Sequence, residues 1–159
     1  MNRVHRLAVL PLLFALAVLV ALPAASHAAE TSKGQTVYVP CYSHIYHGIK
    51  TRGIDLTITL SVRNTDPKRA VTVSSVEYYG TTGALVKRYL EKPLRLEPMM
   101  TVEYIVAQTD ESGGSGANFL VRWSSETPAS PLLVEAVMIG TSAQQGISFT
   151  SRGVAVPGE

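Results

Sequence analysis

"IDLTITLSVR", Ile54 to Arg63, is the stretch whose reading decides the fold. Ile54, Leu56, Ile58, Leu60 and Val62 take every second position, and Asp55, Thr57, Thr59, Ser61 and Arg63 fill the positions between. Side chains of a β-strand point alternately to its two faces, so this pattern makes one apolar face and one polar face. Five apolar residues against β-branched threonines suit an antiparallel sheet with one side in water. "NTDP" then stops the strand: Asn64 and Asp66 favour turns, and Pro67 cannot donate to a ladder.

The same reading works outward along the chain. "AVTVSSVEYYG" puts Val71 and Val73 on one parity and Val76 and Tyr78 on the other. The phase slips at Ser74-Ser75, which predicts a bulge. "GTTG" turns into "ALVKRYL" as the return arm of a hairpin. Pro98 interrupts "LRLEPMMTVEYIV" and leaves Met100, Val102, Tyr104 and Val106 on one face. "QTDESGGSGAN" is a loop by composition. "NFLVRWSS" turns Phe119, Val121 and Trp123 inward, "LLVEAVMIG" reads as a central strand, and "GISFTSRGVAV" closes the domain. No segment holds a long 3.6-residue apolar period.

About seven or eight short strands with turn signals between them predict an all-β, immunoglobulin-like antiparallel sandwich. Trp123 lacks the cysteine pair of an antibody domain, and a small closed barrel is the second choice. The domain is expected over residues 35–156, behind a flexible polar leader at 29–34.

Residues 1–28 read as a secretory signal peptide. Arg3 and Arg6 open it, "LAVLPLLFALAVLVAL" runs uncharged from Leu7 to Leu22, and Ser26 and Ala28 supply the small positions before a cut at Ala28-Ala29. Sixteen residues at about 1.5 Å each span roughly 24 Å, short of the ~30 Å hydrocarbon core. Pro11 weakens a spanning helix further. An uncleaved anchor is the alternative, and no stable membrane span is expected after cleavage. Cleavage removes Arg3 and Arg6 and leaves twelve basic against twelve acidic residues. The basic residues are scattered, so no nucleic-acid partner is expected. One cysteine allows no internal disulfide in an oxidising compartment, so packing must stabilise the domain.

The strings "VYVPCYSHIYHG", "LTITLSVRNTDP", "SGGSGANFLVRW", "VEAVMIGT" and "QQGISFTSRG" together resemble a family of small exported bacterial proteins catalogued as a domain of unknown function. The resemblance runs from about Val37 to Gly153. It implies bacterial export, to the periplasm or beyond, and a single domain. It implies no catalytic residues.

"CYSHIYH" gathers the chemistry. Cys41, His44 and His47 are spaced by three, and thiolate with imidazole suits zinc or copper. In a helical turn they would share a face. In a strand, Cys41 and His44 would lie on opposite faces about 10 Å apart. Met99 or Met100, or a carboxylate, is the candidate fourth ligand. The competing reading makes Cys41 a buried small hydrophobe and the histidines polar connection residues. Cys41 or Ser43 beside His44 or His47 fills two roles of nucleophilic catalysis, but no aspartate is tied to them by spacing, and G-x-S-x-G is absent.

Other candidates carry their plain alternatives. The glycines of "ESGGSGAN" permit an anion-cradling nest or an ordinary flexible connection. Glu135, inside an apolar run, needs Arg122, Arg95, Arg152 or solvent. "QQGISFTSRG", with Gln144, Gln145, Ser148, Thr150, Ser151 and Arg152, is a polar binding surface or an exposed edge kept soluble by its side chains. The expected function is a non-catalytic binding or accessory module without cofactor. Its partner is a protein, an envelope component or a small ligand, met by Tyr42, His44, Tyr46 and His47 with Asn118 and Arg152 as polar helpers. The alternative is a copper- or zinc-handling protein using Cys41, His44 and His47.

Overall fold

The alternation from Ile54 to Arg63 is realised in the computed structural model, which describes residues 30–48, 52–142 and 145–157. Leu56, Ile58, Leu60 and Val62 are fully buried while Asp55 and Arg63 are exposed. The stretch serves two sheets in turn. Its first part, β3 (Arg52–Asp55), pairs with β2 (His44–His47) in a separate hairpin. Its second part, β4 (Thr57–Arg63), pairs with β8 (Thr101–Val106) on one side and β10 (Leu133–Ser142) on the other.

The larger sheet has the order β12 (Val154–Val156), β1 (Ser32–Pro40), β9 (Asn118–Ala129), β5 (Val71–Tyr79) and β6 (Leu85–Arg88), with β7 (Leu94–Leu96) also on β5. The smaller has the order β11 (Gln145–Arg152), β10, β4, β8. Every pairing is antiparallel. The two sheets close on one core. Val37, Val39, Val71, Val73, Val76, Tyr78, Phe119, Val121 and Trp123 come from one side; Ile58, Leu60, Val62, Val106, Val134, Ala136 and Met138 come from the other. Each large side chain so buried contributes about 1.5–3 kcal/mol. The molecule is the expected β-sandwich, not a closed barrel, and among the described residues it has no helix.

Several expectations are met in detail. The register of β5 against β9 shifts between Val73 and Ser75, so the bulge at Ser74-Ser75 turns both Val71/Val73 and Val76/Tyr78 into the core. Gly80 to Ala84 closes the β5–β6 hairpin. Pro98 separates β7 from β8, and Val102, Tyr104 and Val106 face inward as Thr101, Glu103 and Ile105 face out.

Two expectations are corrected. β1 begins at Ser32, so Ser32–Gly34 belong to the sheet and not to a leader. "GISFTSRGVAV" is not one strand: Gly153 carries the chain from β11 in the smaller sheet to β12 in the larger. Its N–H still donates to the Val134 carbonyl at 2.8 Å. A Cβ there would lie 2.6 Å from Val37 Cγ1 and 2.9 Å from Val39 Cγ2, so only glycine fits this crossing. The expected signal peptide and Gln144 lie outside the described residues. Within those residues, no helix is long and apolar enough to cross a membrane.

Candidate functional site

Pro40 ends β1 where its missing N–H does no harm, because β12 pairs only with Thr36–Tyr38 and leaves that side of Pro40 open. The chain then bends. The Cys41 N–H donates to the Ala117 carbonyl at 2.9 Å, and the Ser43 N–H donates to the Gly114 carbonyl at 3.1 Å. The fully buried Ser43 hydroxyl donates to the same Gly114 carbonyl at 3.2 Å. The Ser43 carbonyl accepts from Leu56 N–H at 2.8 Å. Ser43 is therefore a tie between the corner, the glycine-rich loop and the start of β4, and its hydroxyl is not placed for attack.

Beyond this corner, β2 and β3 belong to neither large sheet. His44 and Tyr46 share one face of β2, in contact at 5.1 Å between ring centroids and nearly perpendicular, with His44 Nε2 2.9 Å from Tyr46 Oη. Tyr46 is 57% exposed, and His47 is exposed on the other face. Tyr42, at the corner, packs edge-on against Phe149 of β11 at 5.8 Å.

The segment does not bring Cys41, His44 and His47 together. Cys41 lies in the core at 1% exposure, where burial pushes its thiol up to about 12. His47 pairs in register with Arg52 at the hairpin's outer end. Among the described residues no three of His, Cys, Asp or Glu are grouped to hold one ion. Met99 and Met100 sit at the opposite end of the sandwich, where the Met100 carbonyl accepts from Asn64 N–H. Met99, with φ of 63°, is exposed.

The two polar helpers lie on different sheets. Asn118 opens β9 beside Pro40 and Tyr79, half-buried, at the same end as the hairpin. Arg152 is exposed at the last position of β11, in register with Glu135 of β10. Glu135 faces outward and pairs with Arg63 at 3.8 Å, a partner absent from the three arginines the sequence suggested.

The glycine-rich loop is packed down and makes no open cradle. Gly113 lies over the buried Tyr78 ring, where a Cβ would fall 1.8 Å from Tyr78 Oη. The Gly113 carbonyl accepts from both Thr81 N–H and Thr81 Oγ1, and the Gly116 N–H donates back to Thr81 Oγ1 at 2.9 Å.

Sequence reasoning missed a charged cluster on the outer face of the larger sheet. Glu77, only 8% exposed, accepts from Arg122 Nη1 at 2.7 Å, Tyr79 Oη at 2.9 Å and Arg88 Nε at 3.1 Å. The Arg122 guanidinium holds its carboxyl below the ordinary value, against the opposing cost of burial. The signal was available: once the bulge resets the parity, Ser75, Glu77 and Tyr79 must share the outer face. An open groove of about 640 Å³ adjoins the cluster, lined by Gly34, Thr36, Arg122 and Val156 among others.

These features define an immunoglobulin-like β-sandwich with a small hairpin at one end, whose Ile45 and Ile54 pack against the core while His44 and Tyr46 do not. Residues 34–156 match the family described as "Protein of unknown function (DUF3124)", and the chain belongs to that family. It is also similar to a solved structure described as "Crystal Structure of Thermotoga maritima 1070", at 10% identity and a TM-score of 0.47, over 79% of this chain and 97% of that one. No curated protein matches it.

Proposed function

We propose that this chain is an exported, non-catalytic binding or accessory module of the cell envelope whose contact element is the β2–β3 hairpin. One observation carries the reading: His44 and Tyr46 lean on each other in the open and not on the core. An isolated two-stranded hairpin is at best marginal in water. Its two ends are therefore fixed by buried Ser43 and Leu56, while its rings are left to meet something else. Rigid amphipathic tyrosine is a residue type enriched in protein contacts. The partner is a protein or envelope component presenting a complementary polar–aromatic surface.

A photo-crosslinker placed at Tyr46 in the native host tests this. Specific adducts are expected, lost when His44 is changed to Ala. Adducts that are absent, or that survive the change, sink the hairpin as the contact element. Export is tested separately by mass spectrometry of the cell-envelope fraction, with the amino terminus expected at Ala29. An intact Met1 in membranes would overturn it.

A further inference from the structure

We infer that the free edge of β11 is a pairing surface for a second copy of this chain, joined antiparallel so that the smaller sheet continues across a two-fold axis. An edge strand leaves one row of backbone N–H and C=O groups without a ladder partner, and proteins usually blunt it. The other edges of the two large sheets are blunted. β12 is three residues long. β6 and β7 are separated by the Tyr89–Pro93 stretch and bring Lys87, Arg88, Lys92 and Arg95. β8 follows Pro98 and sets Glu103 in mid-strand.

β11 carries none of these devices along its length. It has eight residues, pairs with β10 from Glu135↔Arg152 to Ser142↔Gln145 without a register shift, and contains no proline. Its one charge, Arg152, is its last residue. Ser148 and Thr150 project, exposed, from its outer face.

Two features favour a second copy as occupant. From Ala29 onward the chain has twelve basic and twelve acidic residues, so no net charge holds copies apart. A two-fold pairing centred on Phe149 sets Ser148 opposite Thr150 of the partner subunit, with no like charges facing and small polar side chains in contact.

Sedimentation velocity of the purified protein across a dilution series tests this. The expected result is a monomer–dimer equilibrium. A Ser148→Lys/Thr150→Lys variant should be monomeric with an unchanged β spectrum, because two-fold pairing places its lysines against each other. A Ser148→Glu/Thr150→Glu variant should be monomeric for the same reason, and mixing the two variants should restore dimers. A wild type that stays monomeric, or binds only an unrelated extended peptide, would overturn the inference. So would a lysine variant that still dimerises, or a mixture that fails to pair.

Discussion

The two ends of the sandwich are held by different chemistry. At one end, two buried polar side chains tie three connections. Asn64 Nδ2 donates to the carbonyls of Arg69, Leu96 and Glu97 at 2.8, 3.2 and 3.0 Å, and its Oδ1 accepts from Asp66 N–H at 3.0 Å. Asp66 accepts from the backbone of Lys68, Arg69 and Ser130 and from the Arg69 guanidinium. At the other end the ties are mostly backbone to backbone, through Cys41, Ser43 and Thr81, laid over aromatic rings. At the first end both side chains, Asn64 and Asp66, spend their polar atoms on the fold. The second leaves a hairpin with exposed rings. Polar motifs near a turn are therefore poor markers of function until their partners have been counted.

The sharpest way to break this contrast is at Asn64. Asn64→Ala removes a buried donor from the Arg69 and Leu96 carbonyls and a buried acceptor from Asp66 N–H, while the Glu97 carbonyl still accepts from Met100 N–H. Each unmet buried group costs about 1–3 kcal/mol, with some relief from water. A loss of about 3 kcal/mol is expected in urea unfolding. A loss under about 1 kcal/mol would show that the knot does not organise that end.

The opposite end should fail by crowding and not by lost hydrogen bonds. Gly113→Ala pushes a methyl into Tyr78 Oη, and overpacking of this kind costs about 1–3 kcal/mol. Tyr78 Oη has no hydrogen-bond partner among the described residues. Tyr78→Phe should therefore be neutral or slightly stabilising. The double variant should recover much of the loss, and strictly additive unfolding energies would sink the explanation.

This asymmetry also explains what the sequence made legible. Period-2 patterning exposed the sandwich, the Ser74-Ser75 slip and the break at Pro98, because burial of one face demands those positions whatever the partners are. Topology was less visible. Nothing in "TSRGVAV" signals that Gly153 changes sheets, since the reason lies in Val37 and Val39, more than a hundred residues away. Asn64 and Asp66 read as turn formers, which is true locally, but their long-range partners Leu96, Glu97 and Ser130 have no sequence mark. Cys41, His44 and His47 looked like a set only because spacing along a chain says nothing about a corner. Pro40 and Ser43 make that corner and send the thiol inward and the rings out.

The acid end of the stability curve separates the two ends again. Backbone donors, Ser130 first, hold Asp66 at about 2, below an ordinary value of 3.8. A depressed carboxyl stabilises the fold above its unfolded value and loses that contribution as the pH falls through its folded value. Stability should therefore hold above about pH 4 and decline towards pH 2, with Glu77, also depressed, adding to the decline. Asp66→Asn should be less stable at neutrality but show a flatter acid limb. An unchanged acid limb would remove Asp66 from the account.

The smallest effect on stability should come from the two rings of the proposed contact. Tyr46 is exposed and rests on the half-buried His44, and neither ring packs against the core. The two partners also sit two residues apart in one strand, so their hydrogen bond closes no long loop. Changing both to Ala should shift the unfolding free energy by no more than about 0.5 kcal/mol, the usual range for surface sites. Removal of two large aromatic anchors from a protein contact commonly costs about 2 kcal/mol or more of binding. The His44→Ala/Tyr46→Ala variant should thus unfold like the wild type while losing the contact proposed for the hairpin. A variant that unfolds markedly earlier would make the ring pair part of the scaffold, and the two ends of the molecule would then differ only in how they are held.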